Sequence, residues 1–406
     1  MNKKEKIVKY IDFLGEYVAY FYVFAIFIES KLNLKIRYIL EGLFILKIFL
    51  DYKNIKIKGK KIYYTYIIIL ILGVIFNFIS STNKIKAIDV FVGRNIRFYH
   101  GLMILFFINS QEKLIKMTKV ILFGTFILGL GIWQKYDYIK LDIIRLRGVI
   151  VLGSSYTIIY FFENLKKFKE NNWNKNIYFS LISSILGLIG IAYSDSRMGF
   201  LVIVGIIVLY IIYNLIQKFS IKKMMISILI GLSGIFIFYE LSPDWFKNEV
   251  KTSFETKHNF SNEARLIMWE GCWNAFKSSP IFGVGSNIED TAVFVKEVGI
   301  NTNRGLELQS AFKAGRFPEG HSMYFNFLSQ VGSLTLVYLY LFFILIPKYF
   351  FKTDKNPIAV ASFFGILSFF IYRITWSIWG FYGLIQTFFQ VYIGILLSNL
   401  KEEQDK

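Results

Sequence analysis

Residues 62–79 read IYYTYIIILILGVIFNFI, an apolar run without a single charged residue. A helix that crosses a bilayer needs about 20 predominantly apolar residues, so this stretch is close to the length of a membrane span. Runs of the same kind recur along the chain in both directions. Twelve spans are expected, near 11–28, 36–50, 62–79, 96–109, 117–133, 148–165, 176–193, 198–217, 224–241, 322–346, 357–374 and 378–398. The second and fourth are short, and Asp12, Glu16, Glu29 and Glu41 interrupt the first two. Composition agrees with this reading: 55% of residues are hydrophobic, 19% aromatic and only 18% charged, with a mean hydropathy of +0.47. The expected fold class is an all-α integral membrane protein with about twelve transmembrane helices in one polytopic domain, 1–406, which excludes a soluble enzyme and a disordered chain. Lys3, Lys4, Lys6 and Lys9 precede the first run, but no small-residue cleavage site follows it, so it reads as a span and not as a signal peptide.

The formal charge is +19 and the pI about 9.6. In so apolar a chain this excess reads as the lysine signature of cytoplasmic loops, and no nucleic-acid partner is expected. The N-terminus, 51–61, 110–116, 164–175, 218–223, 347–356 and the KEEQDK tail carry clustered lysine and no arginine. They are expected to face the cytoplasm. The one long connection, 242–320 between the ninth and tenth spans, then faces outward and is where short helices and a catalytic or lid segment are expected. A single cysteine, Cys272, excludes an internal disulfide and a thiolate metal cluster, and three histidines (His100, His258, His321) leave little for a metal site. Neither metal nor cofactor is expected.

All ten arginines fall on the expected outer side. Lysine serves as a point charge toward anionic headgroups, whereas the planar guanidinium holds phosphate oxygens bidentately, so the segregation suggests phosphate chemistry outside. Arg37, Arg304 and Arg373 taken singly read as cations snorkelling to the surface. Arg94, Arg97, Arg147 and Arg197 precede spans whose amino ends point outward, where the helix dipole disfavours a cation unless an anion sits between it and the free N–H groups. In SDSRMGF (194–200), Ser194, Asp195 and Ser196 are N-cap candidates just before Arg197. The bland alternative is a surface pairing of Asp195 with Arg197, worth little.

Inside the long loop, NFSNEARLIMWEGCWNAFKSSP reads as an amphipathic helix that starts at Ser261 or Asn262 and stops before Pro280. Arg265, Trp269 and Trp273 recur every four residues, which puts a guanidinium and two indoles on one face, a surface suited to a pyrophosphate beside a sugar or lipid. An interfacial tryptophan belt is the simpler reading of either indole. Gly283 and Gly285 in PIFGVGSN mark a tight turn, a weak phosphate signal and more often loop chemistry. Trp269, Trp273, Gly283 and Gly285 are thus candidate substrate contacts. His321 opens the tenth span in PEGHSMYFNFL, where a neutral imidazole is favoured over imidazolium and suits a base or acceptor for a hydroxyl. His100 and His258 read as structural hydrogen-bonders.

SDSRMGF, the ARLIMWEGCWNAFKSSPIFGVG segment and GHSMYFNFLSQVG together resemble the signature of the bacterial O-antigen ligase and polymerase superfamily. The likeness covers about the second half of the chain, and RGVIVLGSSY around Arg147 is similar to that family's RxxG region. The resemblance implies a metal-independent, GT-C-type glycosyltransferase of the bacterial cytoplasmic membrane with its active site facing the periplasm. It implies an undecaprenyl-pyrophosphate-linked glycan as donor and, in the ligase branch, a lipid A-core hydroxyl as acceptor. Arg197 and Arg265 match the diphosphate-binding arginines, Arg147 is a third candidate, and His321 matches the catalytic histidine. The family commonly has HNxxL here, whereas Ser322 follows His321 and Asn326 comes later. A polymerase, extending a second lipid-linked glycan, shares every one of these features; the compact outer loop and its motif spacing favour the ligase. The tail ends directly after the last span, which argues against a protein acceptor. A non-catalytic polysaccharide transporter fits less well, because transporters carry ionisable groups at the membrane midplane and these arginines cluster at the outer surface.

Overall fold

The computed structural model describes residues 3–52, 57–134, 143–166, 175–194, 196–217, 225, 229, 233, 236, 239–240, 242–252, 259–375 and 383–401. Asp195, His258 and most of the expected ninth span, 224–241, lie outside the described residues. The described residues are helical throughout, apart from turns and one isolated bridge between Thr353 and Leu400. In chain order the helices are α1 (Lys3–Ile26), α2 (Ser30–Asp51), α3 (Lys60–Ser80), α4 (Lys84–Asn95), α5 (Tyr99–Phe107), α6 (Gln111–Trp133), α7 (Ile143–Lys166), α8 (Lys175–Tyr193) and α9 (Arg197–Ile216). The connection that follows holds α10 (Asp244–Lys251), α11 (Phe260–Ser278), α12 (Ile288–Ile300) and α13 (Leu306–Lys313). Then come α14, a continuous run Met323–Phe351 that passes through a 3-10 turn at Gly332–Leu334 and a π turn at Leu341–Leu345, α15 (Pro357–Tyr372) and α16 (Gly383–Ser398).

Six described helices are long and apolar enough to cross a membrane: α3, α6, α7, α8, α9 and α14, with α15 and α16 as shorter apolar helices. The expectation of twelve spans is therefore only partly met. Two causes are visible. The expected fourth span begins in a 3-10 turn, Ile96–Phe98, that joins α4 to the nine-residue α5. α15 and α16 are apolar because other helices surround them: every residue from Leu384 to Ser398 is buried, and a helix apolar on all sides belongs inside a bundle. α1 and α2 carry charges yet expose large apolar side chains, Tyr10 at 69% and Phe49 at 80%, as lipid-facing helices do.

Close packing inside the bundle depends on small residues. A Cβ at Gly129 on α6 would lie 2.2 Å from the Leu186 carbonyl oxygen of α8, and one at Gly190 would lie 2.9 Å from the Gly129 Cα. The two backbones meet directly, which is how helices associate where lipid removes the hydrophobic driving force. A second, separate apolar cluster lies in the long connection: Ala264, Ile267, Met268 and Cys272 of α11 pack with Val295 of α12 and with Leu308 and Phe312 of α13. This small core is tied to the end of α3. Ser81 Oγ donates to Asp290 Oδ2 at 2.5 Å, Thr82 donates to the other carboxylate oxygen, and the Ser286 N–H donates to Asn77 Oδ1 at 2.6 Å.

Candidate active site

α9 begins at Arg197 because Ser196 caps it: its backbone leaves helical geometry and its hydroxyl accepts the Gly199 N–H at 3.1 Å. Of the three caps expected from the sequence, this one forms; Ser194 instead donates to the Ile191 carbonyl at 2.9 Å. The amphipathic helix of the loop is α11, and it starts slightly earlier than expected, with Asn259 as N-cap. On it, Arg265 donates through Nη1 to Asn262 Oδ1 at 3.1 Å, while its Nε is buried without a hydrogen-bond partner among the described residues. Trp269 stacks on Phe325 of α14 with centroids 5.1 Å apart, and its indole N–H is likewise buried and unengaged. One face of α11 therefore holds two donors that the described residues leave open. Trp273, one turn on, is 45% exposed at the rim against Phe276.

His321 lies just before α14, whose N-cap is Ser322. Its φ of 47° is the only positive value at a non-glycine among the described residues. Holding an L-residue there costs about 1–3 kcal/mol and persists only where the surroundings over-determine it. Asn326 is part of that surrounding: its Oδ1 accepts the Gly320 N–H at 2.8 Å. A Cβ at Gly320 would sit 2.5 Å from Cys272 Sγ, so the chain passes here hard against α11. Burial, and then the charge of Arg265, push the His321 imidazole down to about 4, so it is neutral at physiological pH. Burial and the neighbouring Arg197 lower Arg265 in turn. Arg265 on α11 is thus coupled to Arg197 at the start of α9 and to His321 before α14.

Other residues of the site have different positions. Arg147 lies in the first turns of α7, where a Cβ on the adjacent Gly148 would be 2.1 Å from Ile385 and 3.1 Å from Tyr372, so it belongs to the wall that α7 forms with α15 and α16. Gly283 and Gly285 adopt φ of 73° and 106°. Their N–H groups are already engaged, Gly283 with the Ser279 carbonyl at 2.8 Å and Gly285 with the Gln330 carbonyl at 3.1 Å. The turn thus locks the loop to α14 and offers no N–H cradle for phosphate.

Three residues that the sequence did not single out as site residues lie near the turn that carries His321. Glu319 lies close enough to Arg94 to offset part of the burial that lowers the Arg94 guanidinium to about 10. Its place two residues before His321 was the available signal. Cys272 has its thiol raised to about 12, chiefly by burial, which makes it an inert part of the wall. Arg373, read from the sequence as a snorkelling cation, is instead fully buried, with its carbonyl accepting the Met323 N–H at 3.0 Å and its guanidinium over the Phe369 ring. It closes the start of α14 from below. No group of three or more His, Cys, Asp or Glu suited to hold a metal occurs among the described residues.

Asn326→Ala should destabilise the fold by about 1–3 kcal/mol, the usual cost of stranding a buried N–H, and should reduce transfer by loosening His321. Thermal unfolding in detergent checks the first effect. An unchanged unfolding temperature would show that the Gly320 contact is dispensable.

Residues 182–340 match the model of the O-antigen ligase family. No curated protein matches the chain. The matched region holds Arg197, Arg265 and His321 together with the tryptophan face of α11, and over that region the chain is similar to the O-antigen ligase family.

Proposed function

We propose that the protein transfers a glycan from undecaprenyl pyrophosphate to the hydroxyl of a lipid A-core acceptor on the periplasmic face of the cytoplasmic membrane, without a metal. The observation that carries the reading is a neutral His321 within electrostatic reach of Arg265, which in turn feels the charge of Arg197. Two guanidiniums held near each other repel until an anion joins them, and a lipid diphosphate is an anion of the right charge and shape. The acceptor oxygen attacks the anomeric carbon, the bond to the diphosphate breaks, and negative charge grows on the leaving group. Arg197 and Arg265 stabilise that charge more in the transition state than in the ground state. His321 accepts or orients the acceptor proton. The unengaged Trp269 N–H and the exposed Trp273 supply contacts for glycan or lipid.

The test is transfer by the purified protein from a lipid-linked donor, with lipid A-core and a second lipid-linked glycan offered as separate acceptors. Product on lipid A-core supports the ligase; product only on the lipid-linked glycan makes it a polymerase; donor turnover with neither acceptor in either form sinks both. Chelator should leave the rate unchanged, and a loss of activity restored by one divalent ion would end the metal-free mechanism.

The topology behind the reading has its own check. Cysteines placed at Lys60 and Lys313, both exposed, should react differently with a membrane-impermeant thiol reagent in spheroplasts: residue 313 labels and residue 60 does not. Labelling at 60 alone would invert the protein and remove the periplasmic chemistry with it.

A further inference from the structure

A cavity of about 260 Å³, lined by neither Arg197 nor Arg265, lies between the first residues of α2, the 3-10 turn before α5 and the first described residues of α16. Three cations line it, Lys31, Arg37 and Arg97, with Asn33, Thr387 and Gly383 among their neighbours. The charge is poorly balanced. Glu41 is already paired with Arg37 at 3.0 Å and also accepts from Tyr99, and Glu29, at the turn before α2, is exposed. Arg97 has no hydrogen bond or ion pair among the described residues, yet it lies close enough to Arg37 to feel its charge. Gly383 permits this placement: a Cβ there would lie 2.1 Å from Arg97 Nη1.

The helix α2 also begins at this cavity, and the amino end of its dipole adds positive potential where the guanidiniums already converge. Like charges facing a partly enclosed space are unfavourable without a counter-ion. At roughly 30 Å³ of liquid per water, the cavity has ample room for a tetrahedral oxyanion. Beside it α2 exposes Leu34, Tyr38 and Ile39 at 41%, 59% and 58%, an apolar flank suited to acyl chains.

We infer that this cavity binds a phosphate group, carried on a lipid, with Arg97 as its principal ligand and Arg37 and Lys31 as supporting charges. The apolar flank of α2 points to the lipid as source, and free phosphate is the other source of the same chemistry. None of Arg197, Arg265 and His321 lines this cavity, and the inference does not rest on the proposed reaction.

The test measures binding to protein purified in maltoside micelles, using phosphatidic acid, phosphatidylcholine and inorganic phosphate as separate probes, by thermal shift and native mass spectrometry. Phosphatidic acid should protect the wild type, and Arg97→Gln should need about 30-fold more of it for the same shift, as when one partner of a charge-assisted contact is removed. Arg304→Gln, which deletes an exposed cation elsewhere, should bind as the wild type does. Arg97-dependent protection by inorganic phosphate at similar concentrations keeps the site and makes the free anion its source. If Arg97→Gln fails to fold, Gly383→Ala, which displaces the guanidinium without removing it, should weaken phosphatidic acid binding in the same direction. Equal binding of phosphatidic acid and of phosphate by wild type, Arg97→Gln and Gly383→Ala, or protection as strong from phosphatidylcholine, overturns the inference.

Discussion

Arg265→Lys and Arg197→Lys should each lower glycan transfer by about 100-fold or more, although neither changes the net charge. The expectation follows from geometry. A guanidinium offers two parallel N–H groups to a phosphate, whereas an ammonium offers a point charge, and removing one preorganised donor from a developing oxyanion costs on the order of 10²–10³ in rate. Arg265 has a particular reason to be sensitive, since its Nη1 is held by Asn262 and its buried Nε is left open for a ligand. Arg304 provides the control: it is exposed, its longest contact is 3.4 Å to the Glu263 carbonyl, and Arg304→Lys should be nearly silent. Rates measured at equal amounts of folded protein decide it. Three similar modest losses would make the outer arginines generic charge.

His321→Ala should abolish transfer and leave donor binding intact, because in the proposed mechanism the residue acts on the acceptor while the arginines hold the diphosphate. His321→Asn separates a proton acceptor from a mere hydrogen-bonder: full transfer by that variant would end the proton-accepting role. The pH dependence follows from burial. The folded-state value of about 4 lies below the ordinary 6.5, so the unfolded chain binds the proton first as pH falls. Stability from this group is complete above about 6.5 and is lost as pH falls toward 4. His321→Asn should therefore show a shallower loss of stability over that window. Transfer by the wild type should not decline on account of His321 between pH 8 and 6, where a solvent-exposed histidine would already be protonating. A midpoint near 6.5 that disappears in the variant would contradict the buried, neutral imidazole.

Much of this was legible in the sequence, for identifiable reasons. The apolar runs announced helices in lipid, and the position of arginines at helix starts pointed to Arg197 before any neighbour was known. Hydropathy, however, measures what a side chain avoids and not what it touches. It cannot separate α16, buried among helices on all sides, from α9, which faces outward along one flank, so six of the twelve expected spans are met by length and composition among the described residues. Arg373 shows the same limit for charge: a cation after an apolar run looks like a snorkelling residue, and only the fold reveals that its carbonyl holds the start of α14. Gly283 and Gly285 were recognised as a turn, but which partner takes their N–H groups depends on Ser279 close by and on Gln330 far along the chain. Asn326, in place of an asparagine next to the histidine, accepts the Gly320 N–H and so holds the His321 turn from one helical turn further on.

The small core of Ala264, Ile267, Met268, Cys272, Val295, Leu308 and Phe312 is separate from the bundle's, and it meets α3 through a handful of polar contacts centred on Asp290. That arrangement makes the connection modular in an evolutionary sense. Its surface side chains can change while the membrane helices keep their packing, and the two sets of residues meet at α11 and the first turn of α14.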